Sequence, residues 1–85
     1  MAGVVTLPTL KLGSTGVAVN ELQRLLVKVG FWPSDRWGVI DVNVFGPMTM
    51  EAVKQFQTAQ AIPITGVVDD KTWTTLYVIA AEGKI

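Results

Sequence analysis

The feature that most constrains this chain is a short unit used twice, with Asn43 and Gly66 at equivalent positions 23 residues apart. The first copy runs Asn43-Val44-Phe45-Gly46-Pro47-Met48-Thr49 and continues to Ala52 and Val53. The second runs Gly66-Val67-Val68-Asp69-Asp70-Lys71-Thr72 and continues to Thr75 and Leu76. Each copy opens on a residue that tolerates a left-handed backbone. Two apolar residues follow, then a helix entrance, then Thr and a helical apolar stripe. Gly46-Pro47 is an entrance because proline at the first helical position gives up an N–H that has no partner there anyway. Asp69 is an N-cap carboxylate, and Asp70 after it is favoured by the helix dipole. The chain is therefore assembled from turn-then-helix units.

Three helices follow from the spacing of apolar residues. Val19, Leu22, Leu25, Leu26 and Val29 form a stripe over about residues 16–29. Ser14 and Thr15 offer capping hydroxyls at its start, and Gly30 offers its stop. The second helix is predicted from Pro47 to about Gln60, with Thr49, Ala52, Val53 and Phe56 inward and Glu51 in its first turn. The third is predicted over about 70–81, burying Trp73, Leu76, Tyr77 and Ala80. Residues 31–46 read as a long irregular loop, and Ile64 to Val68 as a small strand or hairpin in a connector. The predicted fold is all-α: a compact three-helix bundle with an internal turn-helix repeat and long connecting loops. Residues 1–9 lead in, 10–81 form the domain, and 82–85 are a tail. Two glutamines flank the stripes at equivalent places, Gln23 after Leu22 and Gln57 after Phe56. An amide both donates and accepts, so each is expected to tether loop backbone.

Composition narrows the chemistry. At 85 residues with 49% hydrophobic and 16% charged, the chain has enough apolar content for one small core. Seven basic and seven acidic residues cancel, which leaves no electrostatic footprint for nucleic acid or an anionic membrane. There is no cysteine and no histidine, so thiol nucleophiles, thiolate or imidazole metal ligands and the commonest general base are all missing. No apolar run reaches the roughly 18–20 residues of a membrane span. Met1 to Pro8 has neither the charge nor the length of a signal peptide.

Candidate sites are few. Asp41-x-Asn43 with Gly46 imitates the start of a calcium loop, but Phe45 and Ala52 stand where oxygen ligands belong. No metal or cofactor is expected. Asp69, Asp70 and Glu51 are accounted for at helix starts, and Asp35 and Asp41 have no partner base, so no active site is expected. Helix three carries too little positive charge to read DNA. Trp32 and Trp37 are different, since they sit among Pro33, Asp35, Arg36 and Gly38 in a polar loop. They either cap the small core or form a platform for a sugar face. The candidate ligand-binding set is Trp32, Asp35, Arg36, Trp37, Asp41 and Asn43.

One ordered set of residues resembles a known family. It runs Leu12-x-Ser14-x-Gly16-x-x-Val19-x-x-Leu22-Gln23-x-x-Leu26, then Gly30-Phe31. It continues Phe45-Gly46-Pro47-x-Thr49-x-x-Ala52-Val53-x-x-Phe56-Gln57, then Gly66-x-Val68-x-x-x-Thr72-Trp73-x-x-Leu76. This looks like the peptidoglycan-binding domain-like family, whose members hold wall-active enzymes on murein and are not themselves catalytic. The resemblance implies a non-catalytic binding module for bacterial cell-wall peptidoglycan, contacting glycan or stem peptide. It implies a cell-wall hydrolase as partner and a place in the envelope or outside the cell; a start at Met1 with no export signal adds the expectation of a phage tail protein as partner and a place on a virion. A docking domain of a phage tail or injection device is the alternative. Where the family carries Asp-Gly, this chain has Val42-Asn43, with Asp41 displaced by one. The same fold serves as a metalloprotease prodomain through a cysteine, which this chain lacks.

Overall fold

The computed structural model of the chain describes residues 8–31 and 43–82. Three helices follow in order: α1, Val17–Lys28; α2, Pro47–Ala59; and α3, Asp70–Glu82. Helix α1 packs against both α2 and α3. The stripes of all three supply a common core in which Leu22, Phe56 and Leu76 are fully buried. Phe31, just past α1, meets the Phe56 ring edge-on, centroids 5.6 Å apart at 85°. The lead-in through residue 7 and the tail beyond residue 82 lie outside the described residues.

The helix ends show which signals acted. At the end of α1, Gly30 has φ 89°, its N–H donates to Val27 O, and Phe31 N–H donates to Leu26 O. That reciprocal pair closes the helix as a Schellman motif. Helix α2 ends the same way, with Ala61 at φ 58° and Ile62 N–H donating to Gln57 O. At α3 the expected cap is present, Thr72 N–H donating to Asp69 Oδ1 at 3.1 Å.

Other expectations need correction. No side chain caps α1, whose N-cap is Gly16; the Ser14 hydroxyl accepts instead from Lys11 N–H at 3.0 Å. The serine serves the preceding turn because the chain enters α1 through a left-handed glycine. Glu51 falls just beyond the first turn of α2, which holds no acidic residue. The segment from Ile64 to Val68 forms no strand or hairpin; Val68 pairs antiparallel with Leu10, more than fifty residues away. Tyr77 is 38% exposed, not buried, although Trp73 one turn earlier is at 2%. Its ring stacks on Trp73, and the hydroxyl reaches outward to a polar partner.

The two turn-helix units are built alike down to their backbone angles. Asn43 has φ 74° and Gly66 has φ 75°, so asparagine occupies the left-handed position that glycine fills in the second copy. In each unit a buried glutamine closes the turn. Gln23 Oε1 accepts from Asn43 N–H, while its Nε2 donates to Val44 O and Thr49 Oγ1. Gln57 Oε1 accepts from Gly66 N–H, while its Nε2 donates to Val67 O and Thr72 Oγ1. The tethering role expected of both glutamines is what the structure contains. Residues 10–16 then tie the units together, Leu10 pairing with Val68 and Thr15 with Val44. Trp73 Nε1–H donates to Pro8 O at 2.8 Å and anchors the start of that segment on α3.

Candidate functional site

Of the six residues the sequence nominates, Trp32, Asp35, Arg36, Trp37 and Asp41 lie outside the described residues. Asn43 is at their border, where its backbone does the visible work: its N–H donates to Gln23 Oε1, and its carbonyl accepts from Gly16 N–H. Among the described residues there is no acidic cluster able to hold a metal ion.

The described residues do contain a groove of about 270 Å³ between α1 and α3. From α1 it is lined by Glu21, Arg24, Leu25 and Lys28; from α3, by Tyr77, Ala80 and Ala81. The spacing of Glu21, Arg24, Leu25 and Lys28 puts them on one face of a helix. Leu25 and Ala80 are buried and form an apolar floor, and small residues on α3 leave the groove open above them. The rim is polar. Arg24 Nη1–H donates to Glu21 Oε1 at 2.8 Å, and Tyr77 O–H donates to Glu21 Oε2 at 3.0 Å. Glu21 thus fixes a tyrosine on one helix and an arginine on its own. Lys28, in the last turn of α1, is exposed and forms no ion pair among the described residues.

The groove is not legible in the apolar spacing of α3, which places Tyr77 with the core. The legible signal was a polar run at helical spacing, Glu21, Arg24 and Lys28, next to the buried stripe.

The environment of Tyr77 pushes its pKa above the ordinary tyrosine value. Partial burial contributes most; the hydrogen bond to Glu21 and that carboxylate's charge add to it, and Arg24 opposes. A raised acid pKa contributes stability that is present below the unfolded value and lost as pH rises through the folded one. The contact therefore holds at neutral pH and is given up only in strong alkali. Tyr77 is the sole tyrosine in the sequence, so tyrosinate absorbance reports it alone. Its titration is expected above that of a free tyrosine, and Glu21→Gln should lower the midpoint. An unchanged midpoint in that variant would show that Glu21 does not face the hydroxyl in solution.

Turn-helix repeat, glutamine clamps and shared core together define a small three-helix domain. The chain belongs to the peptidoglycan-binding domain family: the family model described as "Putative peptidoglycan binding domain" matches residues 15–76. The zinc D-Ala-D-Ala carboxypeptidase of Streptomyces albus G is 33% identical over 69 residues, covering 81% of this chain. The chain spans only 26% of that protein's length. Among solved structures, the SleB N-terminal domain superposes with a TM-score of 0.77 at 28% identity, covering 91% of this chain and 99% of that one. The endolysin of Burkholderia phage AP3 gives a TM-score of 0.69 at 34% identity, covering 81% of this chain and 24% of that one.

Proposed function

We propose that this chain is a non-catalytic module that attaches to bacterial cell-wall peptidoglycan and holds an associated wall-active protein or particle there. The observation that carries the reading is the family match across residues 15–76. The likeness to the SleB N-terminal domain over 99% of that chain supports a self-contained unit. The proposed limits are 10–81, with 1–9 leading in and 82–85 as tail. The carboxypeptidase and endolysin likenesses support a wall-active enzyme as partner, and hence a place at the envelope or outside the cell. No helix of the described residues is long and apolar enough to cross a membrane.

A shallow groove on a domain this small gives weak binding, with Kd about micromolar to millimolar. Weak binding is enough for a tether, because the linked protein then meets its substrate at a high effective concentration. The test is sedimentation with purified sacculi. The chain is expected to pellet in a saturable way, and a chain that stays in the supernatant at high sacculus concentration overturns the reading. We keep Trp32, Asp35, Arg36, Trp37, Asp41 and Asn43 as a proposed part of the contact. Trp37→Ala should then weaken pelleting more than it lowers the melting temperature.

A further inference from the structure

Resting on the peptidoglycan reading, we propose that the groove between α1 and α3 takes the stem peptide of murein, through a free carboxylate, and not the glycan. Charge is the first reason. Glu21 is held by both Arg24 and Tyr77, so its charge is answered within the protein. That leaves the ammonium of Lys28 without an ion-pair partner among the described residues. Arg24, with one N–H on Glu21 and a largely exposed side chain, keeps further donors for an incoming oxygen. A rim of spare cationic donors matches a carboxylate better than it matches neutral sugar hydroxyls.

The floor is the second reason. Leu25 and Ala80 offer a small apolar surface, which suits the methyl groups of alanyl residues. A sugar needs an open aromatic face. The aromatic lining this groove is Tyr77; Trp73 takes one face of its ring, centroids 6.0 Å apart and 24° from parallel, and Glu21 holds its hydroxyl, so the ring is not free to turn onto a sugar. At about 270 Å³ the groove is a little smaller than the pockets that enclose drug-sized ligands, and it suits a peptide end rather than a length of glycan.

The test titrates the labelled chain, followed by amide NMR, with three probes. They are a muropeptide with free carboxylates, the same muropeptide amidated, and glycan strands stripped of peptide. The free-carboxylate muropeptide should shift the signals of Arg24, Lys28 and Ala81. Amidation should weaken binding about tenfold or more, as should Lys28→Glu, the loss expected for one charge-assisted contact. Lys28→Ala, which only removes the charge, should give a smaller loss in the same direction. Both variants change an exposed side chain, and their melting curves verify folding. Equal shifts from peptide-free glycan, shifts confined to other faces, or full affinity in Lys28→Glu would overturn the groove assignment. Sacculus pelleting separates the two readings. If pelleting persists while the groove stays silent, the peptide inference falls and the wall-binding function stands. If pelleting fails as well, both fall.

Discussion

Phe56→Ala is expected to cost about 3–5 kcal/mol, as for other buried aromatic truncations. Phe56 is fully buried on α2, packed in the core shared with α1 and α3 and met edge-on by Phe31. Truncation removes the transfer free energy of the ring, leaves a cavity in a rigid surround and loses the aromatic pair. A domain of this size holds only about 5–15 kcal/mol in total, so much of its stability is at stake. For a small domain each kcal/mol moves the midpoint by about 4–8 °C, and the melting temperature should fall by about 12 °C or more. Leu22→Ala and Leu76→Ala remove equally buried side chains from the other two helices and should each cost about 2–5 kcal/mol. If all three variants melt within a degree or two of the parent, the shared core does not exist.

How much of this molecule could be read from its residues depended on how local each cause was. The stripes of α1 and α2 were legible because Val19, Leu22, Leu26, Val53 and Phe56 repeat at helical spacing and are buried where that spacing puts them. Pro47, Asp69 and Gly30 acted as the stop and start signals they resemble, since each works on its nearest neighbours. Gln23 and Gln57 were legible for a different reason: an amide beside a buried stripe, in both copies of a repeat, has few uses other than satisfying loop backbone.

The failures come from long-range causes or from divided side chains. Nothing near Val68 announces that its partner is Leu10, because a single pairing between distant segments leaves no periodic trace. Ser14 had two turns to serve, and the choice was made by the φ of 116° at Gly16 between it and the helix. Tyr77 follows the apolar spacing of α3, yet its hydroxyl drew it to the rim by way of Glu21 on another helix. That contact across helices is also what makes the groove, so the polar face of α1 showed in the sequence while the site it forms did not. Trp32, Asp35, Arg36, Trp37 and Asp41 lie outside the described residues, and their part in binding is a proposal.

The glutamine clamps lead to the other large effect. Gln57 is 1% exposed, and its Oε1 accepts from both Thr65 and Gly66 N–H at 3.0 Å. Its Nε2 donates to Val67 O at 3.0 Å and Thr72 Oγ1 at 3.1 Å. Gln57→Leu fills the space but leaves those turn groups without a partner. The bonds to Gly66 and Thr72 are buried and those to Thr65 and Val67 partly so; at about 1–3 kcal/mol for a buried orphan, the loss should be about 3–5 kcal/mol and nearly the same at every pH. Gln57→Glu keeps the shape and the acceptor but turns the donor into an oxygen facing Val67 O. As a carboxylate it is a buried charge set against the Val67 carbonyl, with Lys54 beside Gly66 as the nearby cation, at a cost of about 3–5 kcal/mol. As a carboxylic acid it has an O–H to donate and restores much of the clamp. Burial and the facing Val67 O raise this carboxyl's folded pKa, and the Thr65 and Gly66 N–H groups on its other oxygen act to lower it. The expected net shift is above its unfolded value of about 4.3. Its favourable contribution is then full below the unfolded pKa and lost as pH rises through the folded one. Urea unfolding of each variant against the parent, across acidic to neutral pH, reads the difference. Gln57→Glu should approach the parent in acid and fall to the level of Gln57→Leu near neutrality. A deficit that does not change with pH would mean that the donor aimed at Val67 O is not what holds the turn.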